Sequence, residues 1–322
     1  MDAAVPPSLI TGKMVREAAE RIRPLARRTP VMTSLSVDSR AGRQVFFKCE
    51  NLQRGGAFKV RGAANHVFSI PPADLPRGVV AFSSGNHAQG VAIAARYVGA
   101  SATIVMPEDA PRSKMEATRD RGARIVTYNR FTDDREAIAA AVLAETNGTL
   151  VPPFDHPLII AGQGTAALEL MDEVPNLDAL VVCIGGGGLI SGCATIAKSI
   201  KPGIRIFGVE PELGNDTWLS FRKGERVAIA PPDTIADGLR AHCPGKLTFP
   251  IIQNLVEDVI LVTEDEIRAT MRLMVERMKI LVEPSGAVAA AAVLFGKIPA
   301  GLGRVGVIIS GGNVDLEFLA TC

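Results

Sequence analysis

Residues 79–107, VVAFSSGNHAQGVAIAARYVGASATIVMP, decide the fold class, because two apolar runs flank an amphipathic segment. VVAFSS (79–84) predicts a buried strand, HAQGVAIAARYVG (87–99) predicts a helix, and SATIVMP (101–107) predicts the next strand. Short strands that alternate with helices are typical of βαβ units, in which the strands run parallel beneath covering helices. This stretch therefore indicates an α/β protein.

The same alternation continues on the C-terminal side. Further strands are predicted at 123–128, 179–185, 205–211 and 304–310. Helices are predicted at 133–148, 188–200, 263–278 and 285–296, together with one that Pro111 would start at its first turn. We therefore expect mainly parallel sheets with helices on both faces.

Two Pro- and Gly-rich connections, Pro71–Gly78 and Pro152–Pro157, suggest the domain boundaries. The chain has 322 residues, which corresponds to about two domains of ~150 residues. We predict a small domain of residues 79–150, inserted into a large domain of residues 1–78 plus 151–322. No C-terminal regulatory domain is expected after the last predicted strand.

Composition excludes several classes of protein. Lys and Arg (35) nearly balance Asp and Glu (34), and nucleic-acid binding normally requires a basic excess. The five cysteines are odd in number and show no CxxC spacing, which favours a reducing, cytoplasmic compartment. No secretory signal is visible at the N-terminus, and the uncharged stretch 179–197 contains four consecutive glycines that would break a lipid-exposed helix. We expect neither a nucleic-acid partner nor a membrane partner.

The glycine run Gly185–Gly188 lies between a predicted strand and a predicted helix. Consecutive glycines let backbone N–H groups approach an anion, and the helix dipole adds favourable charge, so the run predicts a phosphate site. Tight packing of the strand on the helix is the alternative. A third interpretation is a nicotinamide-dependent dehydrogenase, because Gly186, Gly188 and Gly192 approximate the dinucleotide motif and Glu210 could hold a ribose.

A lysine lies in the segment FFKCENLQRGGAFKVRGAANH (46–66), between a predicted strand and a predicted helix. Lys59 at a helix start can be partly desolvated, which lowers the pKa of its amine and makes it a Schiff-base nucleophile. Most lysines in such positions are simply solvated, so this signal alone leaves both interpretations open.

Several motifs together carry a family resemblance. They are ENLQ (50–53), GAFKVRGA (56–63), SSGNHAQG (83–90), GGGG (185–188), EPSGA (283–287) and SGGNVD (310–315). In this order they resemble the fold type II pyridoxal-phosphate enzymes, within the branch of serine racemase and the serine, threonine and threo-3-hydroxyaspartate dehydratases. The resemblance implies an α/β fold like that of the tryptophan synthase β subunit, with two domains.

The resemblance also implies roles for individual residues. Lys59 matches the lysine that binds pyridoxal 5′-phosphate, and Ala57 departs from the serine that is frequent two residues before it. The other matches are Phe58 and Gly238 against the cofactor ring, Asn86 at its ring oxygen, Gly185, Gly186, Gly187 and Gly188 at the phosphate, and Ser310 at the pyridine nitrogen. The motif FKVRGA favours elimination or racemisation over β-replacement.

Substrate-binding residues are implied in the same way. Ser83, Ser84, Asn86 and His87 match positions that bind the substrate carboxylate. In the racemases of this branch, a serine at the position of Ser84 exchanges a proton on the face opposite the lysine, and such an acid/base is needed for inversion.

Arg135 aligns with an arginine that can face the active site in serine racemases, so it could bind a β-carboxylate of the substrate. A surface ion pair with Asp133, Asp134 or Glu136 is the alternative for this residue.

The segment GVEPELGND (208–216) matches a divalent-cation site in the family. Glu210, the carbonyl of Gly214, and Asp216 would bind the ion. Two carboxylates, a carbonyl and waters suit Mg²⁺ or Ca²⁺. The alternative is that these acids are solvated loop residues.

The function that these residues predict is elimination of water and then ammonia from a β-hydroxy amino acid, which yields a 2-oxo acid. L-serine, L-threonine and L-threo-3-hydroxyaspartate are the candidate substrates, and the resemblance suggests a homodimer. Serine racemase with side dehydratase activity is the first alternative. A nicotinamide-dependent oxidoreductase and a non-catalytic ligand-binding relative are the others.

Overall fold

The computed structural model describes residues 10–83, 85–110, 112–129 and 132–322, without the side chains of residues 112–114, 135 and 136. Ser84 and the side chain of Arg135 therefore lie outside the described residues, and so does Pro111. The strands are β1 (Val31–Met32), β2 (Gln44–Cys49), β3 (Val79–Phe82), β4 (Ala102–Pro107), β5 (Arg124–Tyr128), β6 (Thr149–Leu150), β7 (Ala179–Cys183), β8 (Arg205–Pro211), β9 (Asp258–Val262) and β10 (Arg304–Ile309).

The larger sheet has the strand order β1-β2-β10-β7-β8-β9. Only the edge strand β1 is antiparallel to its neighbour, and the other strands of this sheet run parallel. The central strand β7 is buried along its whole length, as expected for a parallel strand covered on both faces. The register pairs Val305 with both Val45 and Ala179.

The smaller sheet has the order β5-β4-β3-β6 and is parallel throughout. All four of its strands come from residues 79–150. The two sheets confirm the predicted α/β class with mainly parallel strands, while the exact domain boundaries stay a prediction.

Helices connect the strands, as the alternating pattern predicts. They are α1 (Gly12–Ile22), α2 (Leu35–Ala41), α3 (Lys59–Val67), α4 (Asn86–Tyr97), α5 (Arg112–Asp120), α6 (Arg135–Thr146), α7 (Pro157–Glu173), α8 (Gly188–Ile200), α9 (Asp216–Lys223), α10 (Thr248–Leu255), α11 (Glu264–Leu273), α12 (Pro284–Leu294) and α13 (Leu316–Leu319). The helix expected over 263–278 ends earlier: α11 stops at Leu273, and a π-helical turn then runs to Met278. Lys279 ends that turn with φ = 60°.

The helices that cover the larger sheet pack very closely because small residues lie at their contacts. Every residue of α12 is buried, consistent with its composition PSGAVAAAAVL. The helices α7 and α8 meet at Gly164 and Gly192, where a Cβ on Gly192 would lie 2.1 Å from the Ile160 carbonyl oxygen. These contacts explain why a core with few aromatic residues is still dense.

Beneath α3 lies a group of four charged residues, Lys48, Glu50, Arg61 and Glu169, which we call the ion-pair cluster; Glu169 is partly exposed and the other three are buried. The Arg61 guanidinium is fully buried and donates to both oxygens of Glu50, at 2.7 and 2.8 Å, and to both oxygens of Glu169, at the same distances. Lys48 Nζ lies 2.6 Å from Glu169 Oε2. The cluster joins β2, α3 and α7, so it fixes the helix that begins with Lys59.

Within the described parts of the chain, no helix is both long enough and apolar enough to cross a membrane. The glycine-containing stretch 179–197 is instead β7, a tight turn and most of α8.

Candidate active site

Three loops that follow parallel strands open into one cavity of about 470 Å³. Ser83 follows β3, Gly185 follows β7, and Ser310 follows β10, and all three line the cavity. The carboxyl ends of parallel strands are the usual place for ligand binding in α/β proteins. The small sheet and the large sheet both contribute to this site.

Lys59 is the first residue of α3 and reaches into the cavity. Its Nζ donates a hydrogen bond to the Pro153 carbonyl at 3.0 Å. Desolvation lowers the pKa of Lys59 to about 8, although the charge of Glu283 acts in the opposite direction. The neutral form of this amine is therefore a minority near physiological pH, but it is far more abundant than in a solvated lysine, as suits a nucleophile or a base.

The glycine run forms a tight turn between β7 and α8, and Gly187 adopts φ = 89°. A Cβ on Gly186 would lie 2.3 Å from the Phe154 ring, and one on Gly187 would lie 2.8 Å from Thr248. The first turn of a helix has N–H groups without helical partners, and here they border the cavity. Only glycine fits this turn, which has the form of an anion cradle.

The side chain of Asn86 is held in one orientation from both sides. Its Nδ2 donates to Glu283 Oε1 at 2.6 Å, and its Oδ1 accepts from Asn313 Nδ2 at 2.8 Å. Asn313 Nδ2 also donates to the Gly55 carbonyl at 2.7 Å. This chain of hydrogen bonds joins the start of α4 to the loop after β10, across the cavity.

The imidazole of His87 is buried beside Lys59 and lies 2.9 Å, through Nε2, from the Val151 carbonyl. Burial and the charge of Lys59 lower the pKa of His87 to about 3. The ring is therefore neutral, with its proton on Nε2, and Nδ1 cannot donate to an anion. Any anion contact made by His87 must use its backbone N–H.

Ser310 lies on the floor of the cavity and is almost fully buried. Its hydroxyl donates to the Ser285 carbonyl at 3.4 Å, and the Ser285 hydroxyl accepts from the Gly238 N–H at 2.9 Å. Phe58 lines the same cavity, and its N–H donates to the Ser310 carbonyl. Ser310, Gly238 and Phe58 are thus brought together as the sequence predicts.

Glu210 and Asp216, which we call the acid pair, lie apart from the residues that line this cavity. Glu210 is fully buried and accepts from the backbone N–H groups of Thr217 and Trp218, at 3.1 and 2.7 Å. Neither buried oxygen of Asp216 accepts a hydrogen bond from a described residue. Burial raises the pKa of Asp216 to about 7, and burial together with the charge of Asp216 raises the pKa of Glu210.

These contacts exclude the ribose-binding role considered for Glu210, because its carboxylate is buried and bound to the first turn of α9. The strand order of the large sheet also differs from the order typical of dinucleotide-binding folds. The dehydrogenase interpretation fails for these two reasons.

Several cavity residues were not assigned a role from the sequence, among them Phe154, Arg240 and Glu283. Glu283 was part of the motif EPSGA, but only the fold shows that it contacts Asn86. No local pattern marks Phe154 or Arg240, since each reaches the cavity from an irregular loop. Ser84 and the side chain of Arg135, both assigned from the resemblance, are outside the described residues.

A lysine with a lowered pKa beside an anion cradle defines an α/β enzyme of the kind that holds a phosphorylated carbonyl cofactor on lysine. The fit is supported by the cradle itself, which a Cβ at Gly186 or Gly187 would fill. Residues 22–311 match the family described as pyridoxal-phosphate dependent enzyme. The chain belongs to that family, which confirms the resemblance seen in its motifs.

Individual relatives agree with this assignment. The chain is 50% identical to an L-threo-3-hydroxyaspartate ammonia-lyase of Saccharomyces cerevisiae over 95% of this chain and 94% of that protein. It is 48% identical to a serine racemase of Schizosaccharomyces pombe over 94% of each. The solved structure of maize serine racemase matches with a TM-score of 0.94 at 44% identity, covering 97% of this chain and 96% of that one.

Proposed function

We propose that this enzyme is an ammonia-lyase that converts a β-hydroxy amino acid to a 2-oxo acid and ammonia. The observation that carries the proposal is the Lys59 amine, with its lowered pKa, in the same cavity as the Gly185–Gly188 cradle. The relative of the same activity in Saccharomyces cerevisiae supports L-threo-3-hydroxyaspartate as the substrate, with L-serine and L-threonine as the other candidates.

The described residues can hold pyridoxal phosphate as the resemblance implies. Lys59 would bind its aldehyde carbon, Gly185–Gly188 its phosphate, Asn86 its ring oxygen and Ser310 its ring nitrogen, with Phe58 and Gly238 against the ring. When bound, the cofactor withdraws electrons from the substrate Cα and so acidifies the Cα–H bond.

Lys59 Nζ would take the proton from Cα, because its lowered pKa of about 8 makes the neutral amine more available than in a solvated lysine. Ser310 offers a hydroxyl rather than a carboxylate to the ring nitrogen, so it does not hold that nitrogen protonated. Negative charge at Cα would then be less delocalised and would expel the β-hydroxyl, which leaves as water with a proton returned by the protonated Lys59 amine. The released enamine hydrolyses to the 2-oxo acid and ammonium.

The α-carboxylate of the substrate binds at the start of α4, where Ser83 and Asn86 line the cavity and helix N–H groups are available. His87 contributes its backbone N–H, since its ring is neutral and bound to Val151. The resemblance assigns Ser84 to the same carboxylate, and it offers Arg135, at the start of α6, as one candidate to contact the substrate side chain.

The acid pair and the Gly214 carbonyl are proposed to bind Mg²⁺ or Ca²⁺. The buried oxygens of Asp216 accept no hydrogen bond from the described residues, and oxygen ligands suit a hard divalent cation. The site would have a structural role, because none of its three residues lines the cavity. The proposed homodimer rests on the family resemblance, and the proposed cytoplasmic location rests on cysteine usage.

Replacing Lys59 tests the function directly. We expect Lys59→Ala to lower kcat/KM by at least ~10³-fold, because one amine both anchors the cofactor and moves the α-proton. Borohydride reduction should attach the cofactor covalently to the wild type and not to Lys59→Ala. Lys246→Ala, which removes an exposed lysine, is the control. A reducible linkage retained in Lys59→Ala would refute the assignment.

Racemisation is the second candidate function, favoured by the similarity to serine racemase and by Ser84 in the sequence. Inversion at Cα needs an acid/base on each face of the substrate. If Ser84 supplies the second one, Ser84→Ala should abolish D-serine formation from L-serine and largely preserve pyruvate formation. Equal loss of both products would assign Ser84 to substrate binding, and a wild type that forms no D-serine would leave the lyase alone.

A further inference from the structure

One wall of the cavity is the irregular stretch from Asp237 to Cys243, which follows the buried residue Ala236. Gly238, the residue assigned to the cofactor ring, belongs to this stretch. Arg240 is two residues further along and also lines the cavity. A cationic side chain therefore borders the space that the substrate must enter.

The guanidinium of Arg240 is fixed in place by backbone contacts. Its Nε and Nη2 donate to the same oxygen, the Thr234 carbonyl, at 2.9 and 2.6 Å. Thr234 is buried, and its hydroxyl donates to Glu264 Oε1 at 2.7 Å, while the Ile235 N–H donates to Glu264 Oε2 at 2.8 Å. Arg240 is thus anchored, through Thr234, on the first turn of α11.

The charge of Arg240 is not matched by the protein. Among the described residues, no carboxylate oxygen lies within ion-pair distance of this guanidinium, whereas Arg61 contacts two carboxylates. The contacts to Thr234 use Nε and Nη2, which leaves both N–H groups of Nη1 for another acceptor. An arginine held in this way is pre-organised for an anion.

An acid of the connection between β6 and α7 does not neutralise Arg240 either. Asp155 accepts three backbone N–H groups, from Lys246, Leu247 and Thr248, at 2.8 to 3.2 Å. Its charge therefore stabilises the segment that returns from Arg240 to α10. The wall is held by contacts at both of its ends, and the arginine between them is solvent-exposed, with no carboxylate partner among the described residues.

We propose that Arg240 binds the second carboxylate of a dicarboxylic substrate and so selects 3-hydroxyaspartate over serine and threonine. This inference rests on the proposed function and names a specificity residue on the large sheet's side of the cavity. The α-carboxylate binds at the start of α4, and the β-carboxylate binds at Arg240. A charge-assisted arginine contact of this kind changes specificity by about 10- to 150-fold.

The first experiment compares kcat/KM on L-threo-3-hydroxyaspartate and on L-serine. In Arg240→Gln we expect the ratio of the two values to fall by about 10- to 150-fold. Arg226→Gln is the matched control, because Arg226 Nε also donates to a backbone carbonyl, that of Pro244 at 2.7 Å, without lining the cavity. Arg135→Gln tests the competing assignment, in which Arg135 of α6 binds the β-carboxylate instead.

The second experiment measures binding without turnover. Succinate and butyrate share a four-carbon chain and differ by one carboxylate. The cofactor-loaded wild type should bind succinate more tightly than butyrate in calorimetric titrations, and Arg240→Gln should remove that difference. Arg240→Lys should restore part of it, since charge returns without the paired N–H groups.

Three results would overturn the inference: an unchanged ratio in Arg240→Gln, equal losses on both substrates, or a collapse of the ratio in Arg135→Gln alone. A different result would refute the proposed function rather than this inference. A wild type that converts no β-hydroxy amino acid would refute the ammonia-lyase assignment, while the succinate and butyrate titrations would still decide the role of Arg240.

Discussion

The ion-pair cluster and the acid pair each hold two carboxylates that are buried or, at Glu169, largely buried, but they differ in what surrounds those carboxylates. Glu50 and Glu169 face Arg61 and Lys48, so two positive charges match two negative ones. The described residues place no cationic side chain within ion-pair distance of the acid pair. The hydrogen bonds that the described residues donate to this pair come from backbone N–H groups and are accepted by Glu210.

The pKa values follow this difference. Burial would raise the pKa of Glu169, but the hydrogen bonds and charges of Arg61 and Lys48 outweigh it and lower that pKa. Burial raises the pKa of Asp216 to about 7, because no cation opposes it. A buried carboxylate needs compensation. The protein supplies that compensation in the first cluster, and we infer that a bound cation supplies it in the second.

The largest loss of stability is expected in the ion-pair cluster, where the protein itself compensates the charges of the carboxylates. Arg61→Met would leave the carboxylates of Glu50 and Glu169 buried with only Lys48 opposite them. Removing one partner of a buried ion pair costs about 3–5 kcal/mol of unfolding free energy, because the remaining charge is uncompensated. Urea unfolding of the holoenzyme measures this loss.

Arg205→Met is the matched control for Arg61→Met. Arg205 forms an ion pair with Glu257 on the surface, where both side chains are substantially exposed. An exposed pair contributes only about 0–1 kcal/mol, since water and salt already screen it. If Arg61→Met cost no more than Arg205→Met, the ion-pair cluster would not be what holds α3 and Lys59 in place.

The two clusters also show how much of the fold and of the site can be predicted from the sequence alone. Local patterns predicted six of the strands and many of the helices, but they missed β9 and the long helix α7. Motifs in a recognisable order marked Lys59, Asn86, Ser310 and the glycine turn as candidates, and all of them line the cavity. The ion-pair cluster was not foreseen, because Lys48 and Glu169 are 121 positions apart in the printed sequence and neither residue belongs to a motif with an assigned role. Contacts across such separations depend on strand order, which residue spacing does not specify.

Two further expectations from the sequence differ from the structure, and each difference has a physical cause. The helix expected over 263–278 changes to a π-helical turn after Leu273, and that turn ends at Lys279 in a left-handed conformation, which residue propensities do not predict. Glu210 resembled a ribose-binding acid by its spacing from the glycines, yet its burial beneath α9 decides otherwise. Burial and hydrogen-bond partners, rather than residue type, separated these alternatives.

Cation binding at the acid pair is expected to change the stability of the enzyme by a smaller amount and in the opposite direction. If Glu210, Asp216 and the Gly214 carbonyl bind Mg²⁺ or Ca²⁺, the cation at 100 times its Kd should stabilise the enzyme by about 2.7 kcal/mol. EDTA should reverse this gain in thermal unfolding. Asp216→Asn should no longer respond to the cation, and in EDTA it should be at least as stable as the wild type, because one of two like buried charges is gone.

Glu169→Gln is the control that sharpens the contrast between the two clusters. It removes a carboxylate that already has cationic partners, so we expect it to destabilise the enzyme equally with and without the cation. Its response to Mg²⁺ or Ca²⁺ should match that of the wild type. If Asp216→Asn still gained stability from the cation, or if the wild type gained none, the acid pair would not be a cation site, and its raised pKa values would reflect a shared proton instead.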